Sequence, residues 1–228
     1  MTPVIQGRPE RPTALVTGGN RGIGRAIAEG LVARGFRVVI GVRDLEAGRA
    51  VAEAIGAQAV RIDVARLDSL AAAVDKIGGV DVLVNNAGMV IDTNMLDDPG
   101  AFHMSMDVMF RGPFELIRAC VPHMAAQGWG RIVNVSSGGG SFAEGLAGPG
   151  ASGVAKAALN ALTKSLPRNL PEGIKINATC PGWVRSRIGG DQAPRSPEDG
   201  AATAIWLADL PPDGPTGRFF RDKLSVRW

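Results

Sequence analysis

Apolar residues fall along this chain in two alternating rhythms. Short, nearly unbroken apolar runs occur at residues 13–17, 37–42, 59–62, 80–84, 131–135 and 175–179. Their length and content suit strands buried on both faces. Between them, residues 22–34, 45–55, 67–77, a long stretch around 101–124, and 155–166 read as helices. Residues 201–208 predict one more helix and residues 218–220 a final strand. Strand alternating with helix predicts an α/β fold: a doubly wound parallel sheet of about seven strands, covered by helices on both faces. No internal repeat or linker divides the chain. The segments at 138–150 and 189–197, rich in Gly and Pro, are expected to be loops beside a cleft.

Composition narrows this picture only a little. At 228 residues the chain suits one domain, read as residues 13–228 behind a flexible tail at 1–12 that contains Pro3, Pro9 and Pro12. Hydrophobic residues make up 45% and charged residues 21%, ordinary for a globular protein. The net charge of +3 comes without a basic cluster, so neither nucleic acid nor membrane is an expected partner. The two cysteines, Cys120 and Cys180, have no metal-ligand spacing and make no disulfide framework. No apolar run is long enough to span a bilayer. A reducing cytoplasm is the expected setting.

Chemistry enters at the first strand-to-helix junction. Thr17-Gly18-Gly19-Asn20-Arg21-Gly22-Ile23-Gly24 follows an apolar run and opens an amphipathic stretch. Glycines there let the backbone turn and approach a pyrophosphate, and the helix start offers free N–H groups. A glycine pattern alone says little; in this context it predicts a dinucleotide site on a Rossmann-type sheet.

Further motifs follow in order. Asp63-Val64, Asn85-Asn86-Ala87-Gly88, Arg131 to Ser137, and Cys180-Pro181-Gly182-Trp183-Val184-Arg185-Ser186 each stand at or beyond a predicted strand. Together with the glycine loop they resemble the short-chain dehydrogenase/reductase family over almost the whole chain. The ending, with Leu210-Pro211-Pro212 and Phe219-Phe220, looks like its carbonyl-reductase branch. The resemblance implies that Gly18, Asn20, Arg21, Gly22, Ile23 and Gly24 bind the pyrophosphate region. It implies that Asp63 and Val64 meet the adenine, that Asn86 closes the neighbouring strand end, and that Val184 lies in the loop over the nicotinamide. It implies a small-molecule substrate and assembly as a homodimer or homotetramer.

The second strand ends in Val42-Arg43-Asp44. An acidic residue at the strand tip suits a ribose diol, whereas an arginine accommodates a 2′-phosphate. Arg43 comes first and Arg21 lies in the glycine loop, so NADP(H) is the expected cofactor. Asp44 is expected to cap the following helix.

The expected catalytic centre departs from the family. Relatives carry Tyr-x-x-x-Lys, but this chain contains no tyrosine. Lys156 matches the lysine and Ser152 stands four residues earlier, in the tyrosine position. In the family the tyrosine gives its proton to the carbonyl oxygen, and the lysine holds the ribose and lowers the tyrosine pKa. Serine is shorter by a phenyl ring and far less acidic. A positioned general acid is worth about 10²–10⁴ in rate. The family's relay asparagine is also replaced, by Met109, and a thioether cannot hold the same water. Ser137 matches the active-site serine, so Ser137, Ser152 and Lys156 are the catalytic candidates.

Other residues have less specific readings. Glu144 is a replacement acid, a counter-ion for a cationic substrate, or a solvated carboxylate. His103 reads as a surface or interface residue and His123 as structural. Trp183 either walls the pocket or packs. Met104 and Met106 read as apolar lining.

The function these features imply is an NADPH-dependent reductase without the tyrosine acid, acting on C=N or on conjugated C=C. The alternatives are a non-redox cyclase or isomerase, an NADPH-binding protein without turnover, and an inactivated carbonyl reductase.

Overall fold

The computed structural model describes residues 7–228. Eight strands form one sheet: β1 (Thr13–Thr17), β2 (Arg37–Val42), β3 (Gln58–Arg61), β4 (Val82–Asn85), β5 (Gly130–Val135), β6 (Ile174–Thr179), β7 (Arg218–Arg221) and β8 (Leu224–Val226). Their order is β3-β2-β1-β4-β5-β6-β7-β8, and every neighbouring pair is parallel except β7–β8. The eighth strand is one more than the apolar pattern predicts. It is short, and two of its three residues are exposed, so it carries little hydrophobic signal.

The helices are α1 (Gly22–Val32), α2 (Leu45–Ile55), α3 (Leu70–Asp75), α4 (Pro99–Met106), α5 (Gly112–Gln127), α6 (Ser152–Ser165) and α7 (Pro197–Ala208). Strand side chains alternate between two apolar layers. Val16, Ile40, Val84 and Val133 enter the layer under α1 and α7. Leu15, Val39, Leu83 and Ile132 enter the layer under α3 and α5. A sheet buried on both faces needs apolar residues at every strand position, which explains why the strands read as continuous runs.

Two helix boundaries differ instructively from the apolar pattern. The predicted long helix is α4 and α5 joined by a π-helical turn at Asp107–Arg111. A Cβ on Gly112 would collide with the carbonyl oxygen of Val64, so the chain passes that strand end at backbone distance. Helix α7 begins earlier than its apolar stretch, because Ser196 and Asp199 form a reciprocal capping box with Pro197 in the first turn.

Of the expected tail, residues 1–6 lie outside the described residues. Arg8 is anchored: its Nε donates to Asp209 Oδ1 at 3.0 Å and its guanidinium lies 4.9 Å from the Phe36 ring centre. At the same end of the sheet, His123 Nε2 lies 3.1 Å from Asp81 Oδ1, and Asp81 Oδ2 accepts from the Thr13 N–H. His123 therefore has the structural role expected of it.

Candidate active site

Parallel strands place their C-terminal ends along one edge, and each motif leaves the sheet there. The strand order reverses between β1 and β4, which opens a crevice beside the loop joining β1 to α1. Thr17 and Asn86 link its two sides. Thr17 Oγ1 accepts from the N–H groups of Asn86 and Ala87, both at 3.0 Å, while Asn86 Nδ2 donates to Thr17 O at 2.9 Å. A Cβ on Gly24 would collide with Gly18 O and Asn86 Nδ2, so only glycine fits.

Helix α1 starts open. Arg21, its N-cap, is extended at φ −163° and gives no side-chain cap. The first N–H groups of α1 thus face the crevice without a side-chain acceptor, as an anion site requires. Ile23 and Val184 both approach Gly200, which brings the loop after β6 near the start of α1. Arg21 and Arg43 are both exposed, and neither guanidinium makes a hydrogen bond among the described residues. Asp44 is occupied as expected: its Oδ1 accepts from the Ala47 N–H at 3.2 Å. Asp63 is half-buried at the neighbouring strand end, with Oδ1 accepting from Ala65 N, and Val64 is buried beside it. A cradle that needs glycine, an open helix start and free arginines fit an anionic dinucleotide.

The other half of the cleft is formed by β5, α6 and the π turn. Lys156 Nζ donates to Val135 O at 2.5 Å. Burial lowers its pKa to about 8, against an opposing pull from Cys180. Helix α6 begins at Ser152 rather than at the predicted residue 155, so Ser152 and Lys156 sit one turn apart on one face. The Ser152 hydroxyl is turned back on the chain and donates to Pro149 O at 2.5 Å. Its proton is committed to the backbone. Met109 is buried in the π turn, and Gly88 lies between it and the lysine: a Cβ there would be 4.0 Å from both Met109 Sδ and Lys156 Nζ. Met109 and Lys156 thus both approach Gly88, just beyond β4.

Ser137 follows β5 and its Oγ accepts from Gly139 N at 3.1 Å, leaving its own proton for another acceptor. Glu144 is exposed, as its solvated reading expects, and it is also paired. Both carboxylate oxygens accept from Arg221 Nη2, at 2.7 and 2.8 Å. Hydrogen bonding to Glu144 holds the Arg221 guanidinium still more firmly protonated than an ordinary arginine. His103 is exposed on α4, edge-on to Phe102. Trp183 is 58% exposed and latches its own loop through Nε1 to Gly189 O. The loops that follow β4, β5 and β6 also expose Leu96, Phe142, Leu146 and Ile188.

Sequence reading missed Arg195, Arg221 and Asp222. Arg195 donates to both carboxylate oxygens of Asp222, at 3.0 and 2.5 Å. The only signal was two adjacent opposite charges just past the last predicted strand. Cys180 Sγ accepts from Gly138 N at 3.2 Å and from Arg221 Nη2 at 3.4 Å. Cys120 is a core residue, and burial pushes its thiol up to about 12. Among the described residues, no cluster of His, Cys, Asp and Glu could hold a metal, and no helix is long and apolar enough to cross a membrane.

Comparison with known proteins agrees with this architecture. The short chain dehydrogenase family profile matches residues 12–196. Carbonyl reductase [NADPH] 1 from Mus musculus is 34% identical, over 96% of this chain and 99% of its own length. The Homo sapiens enzyme of the same name is also 34% identical, over 94% and 98%. A solved short chain dehydrogenase/reductase family protein superposes with a TM-score of 0.84 at 34% identity, covering 92% of this chain and 94% of its own. A 3-oxoacyl (acyl-carrier-protein) reductase from Agrobacterium tumefaciens, solved with NADP bound, gives 0.83 at 26% identity, with 92% of each chain covered. The chain belongs to the short-chain dehydrogenase family.

Proposed function

We propose that this protein is an NADP(H)-dependent reductase that saturates a conjugated C=C bond, with C=N reduction as the neighbouring chemistry. NADP(H) is supported by the glycine cradle, by the free Arg21 and Arg43, and by relatives named for NADPH. Bound NADPH would supply the hydride. The chain's own residues must then orient the acceptor and manage the charge that develops on it.

Ketone reduction needs a proton on oxygen as hydride arrives. Ser152 is a poor donor, because an alkyl hydroxyl is weakly acidic and its proton already serves Pro149 O. A conjugated carbonyl compound makes a smaller demand. Hydride adds at the β-carbon, the electron pair moves to oxygen, and an enolate forms. Its α-carbon takes a proton afterwards. Ser137, whose own proton is uncommitted, gives a hydrogen bond to the enolate oxygen without transferring the proton, the Lys156 ammonium stabilises its charge, and the α-carbon takes its proton from solvent.

One observation favours C=C over C=N. Among the described residues no carboxylate bonds Lys156, while Glu144 is taken up by Arg221. An unpaired cation favours an anionic enolate and disfavours an iminium. The exposed apolar side chains on the loops after β4, β5 and β6 suit an uncharged substrate.

NADPH consumption with a saturated ketone, a cyclic imine and a cyclic enone tests this reading. The expected order is enone, then imine, then ketone, with ketone at least about 10²-fold slower than enone, the lower end for a missing general acid. Ketone reduction as fast as enone reduction would overturn it. Tight NADPH binding without turnover on any of the three would favour the non-catalytic alternative.

A further inference from the structure

We propose that the β7–β8 hairpin is a two-armed clamp, in which Arg221 positions the Ser137 loop and Asp222 positions the loop after β6. The clamp deepens the reductase reading and rests on it for what each loop does.

Arg221 and Asp222 are adjacent, carry opposite charges, and each reaches a different wall of the cleft. Arg221 Nη2 holds both oxygens of Glu144 and also contacts Cys180 Sγ. This pair lies against the backbone of Gly138, where a Cβ would collide with Glu144 Oε2. Gly138 directly follows Ser137, and its N–H donates to Cys180 Sγ. Moving Arg221 therefore moves the support beneath Ser137. The end of the chain adds two ties to the same loop: Ala143 N donates to Trp228 O, and Ser141 Oγ donates to Arg227 O.

The second arm uses different hydrogen-bond partners. Asp222 receives two bonds from Arg195, and hydrogen bonding to that arginine holds its carboxyl below the usual range. Arg195 is also the far side of the loop after β6: its N–H donates to Trp183 O, and its carbonyl accepts from Arg185 N. It thereby fixes the position of Val184 between them, which packs towards Ile23.

The hairpin turn sets where the two arms leave the sheet. Asp222 and Lys223 have φ of 52° and 63°, the left-handed region that a two-residue turn of this hand requires. Aspartate tolerates this region, so Asp222 suits the first turn position, and the strain falls on Lys223. Lys223 N is tied to Thr203 Oγ1 at 3.1 Å, which braces the turn against α7.

The test compares Glu144→Gln with Asp222→Asn; asparagine tolerates the left-handed turn, so the second variant keeps the hairpin. Amide hydrogen exchange is read on both loops, with NADPH affinity and the KM for cyclohex-2-enone. Glu144→Gln should speed exchange at Gly139–Gly148 and raise the enone KM about threefold to fivefold, with NADPH affinity unchanged. Asp222→Asn should speed exchange at Arg185 and Arg195 and weaken NADPH by a similar factor. These factors follow from the roughly 1 kcal/mol available to a well-formed, partly exposed pair. Exchanging the charges of the first arm (Glu144→Arg with Arg221→Glu) should restore slow exchange in the Ser137 loop. The clamp is overturned if either variant loosens both loops alike, or if neither loosens its own. Exchange reads the clamp even if no enone turns over, whereas absent NADPH binding by the unaltered protein would strike the reductase reading alone.

Discussion

The two halves of the cleft are built from the same sheet edge but under different constraints. On the nucleotide side, Thr17, Gly24 and Asn86 interlock so closely that a single methyl group at Gly24 would collide with two neighbours. On the proton side, Ser152 donates to its own backbone, Met109 offers only a thioether, and Lys156 is the remaining strong donor. The contrast supports the proposed reading, in which the cofactor side is kept and proton delivery is changed.

The largest expected effect breaks the intact half. Gly24→Val should reduce NADPH affinity by more than about 100-fold, because the helix start must move away from Gly18 and Asn86; clashes of this kind cost several kcal/mol. A fluorescence titration measures it, with circular dichroism to confirm the fold. On the altered half, Ser152→Tyr should raise ketone reduction by about 10²–10⁴, the value of a positioned acid, if the new ring reaches the oxygen beside Lys156. Initial rates with a saturated ketone decide this.

A middle-sized effect concerns cofactor choice. Arg43→Ala should lower the preference for NADPH over NADH by about tenfold or more, from the loss of a charge-assisted phosphate contact. Paired titrations with the two cofactors measure it, and unchanged discrimination would remove Arg43 from the site. The pH profile should bear on Lys156 directly. Its proton is present below a pKa of about 8 and lost above it, so enone turnover should fall as pH rises through 8. Lys156→Met should abolish that limb. The smallest effect is structural: Asp44→Ala removes the α2 cap and should cost about 1 kcal/mol of stability, seen as a lower melting temperature with little change in cofactor selectivity.

Legibility in the sequence followed the same division. Strands β1, β2 and β4 were plain because burial on both faces leaves nearly continuous apolar runs. The exposed β8 left no such trace. The π turn was invisible because its apolar residues continue a helical pattern, and only contact between Gly112 and Val64 reveals why the register shifts. Among site residues, the glycine loop and Lys156 were readable from local motifs. The partner of Glu144 was not, since Arg221 lies far along the chain and a carboxylate in a loop looks the same whether solvated or paired. The orientation of Ser152 towards Pro149 likewise depends on how the loop enters α6.

The most direct test of a cleft that delivers hydride without a phenol uses cyclohex-2-enone and NADPH deuterated at the transferred position. Deuterium at the β-carbon of a saturated ketone, with one NADPH consumed per product, is the predicted result. Deuterium on the carbinol carbon of an allylic alcohol would contradict the account, because that product requires a proton on oxygen, which the proposed mechanism does not deliver.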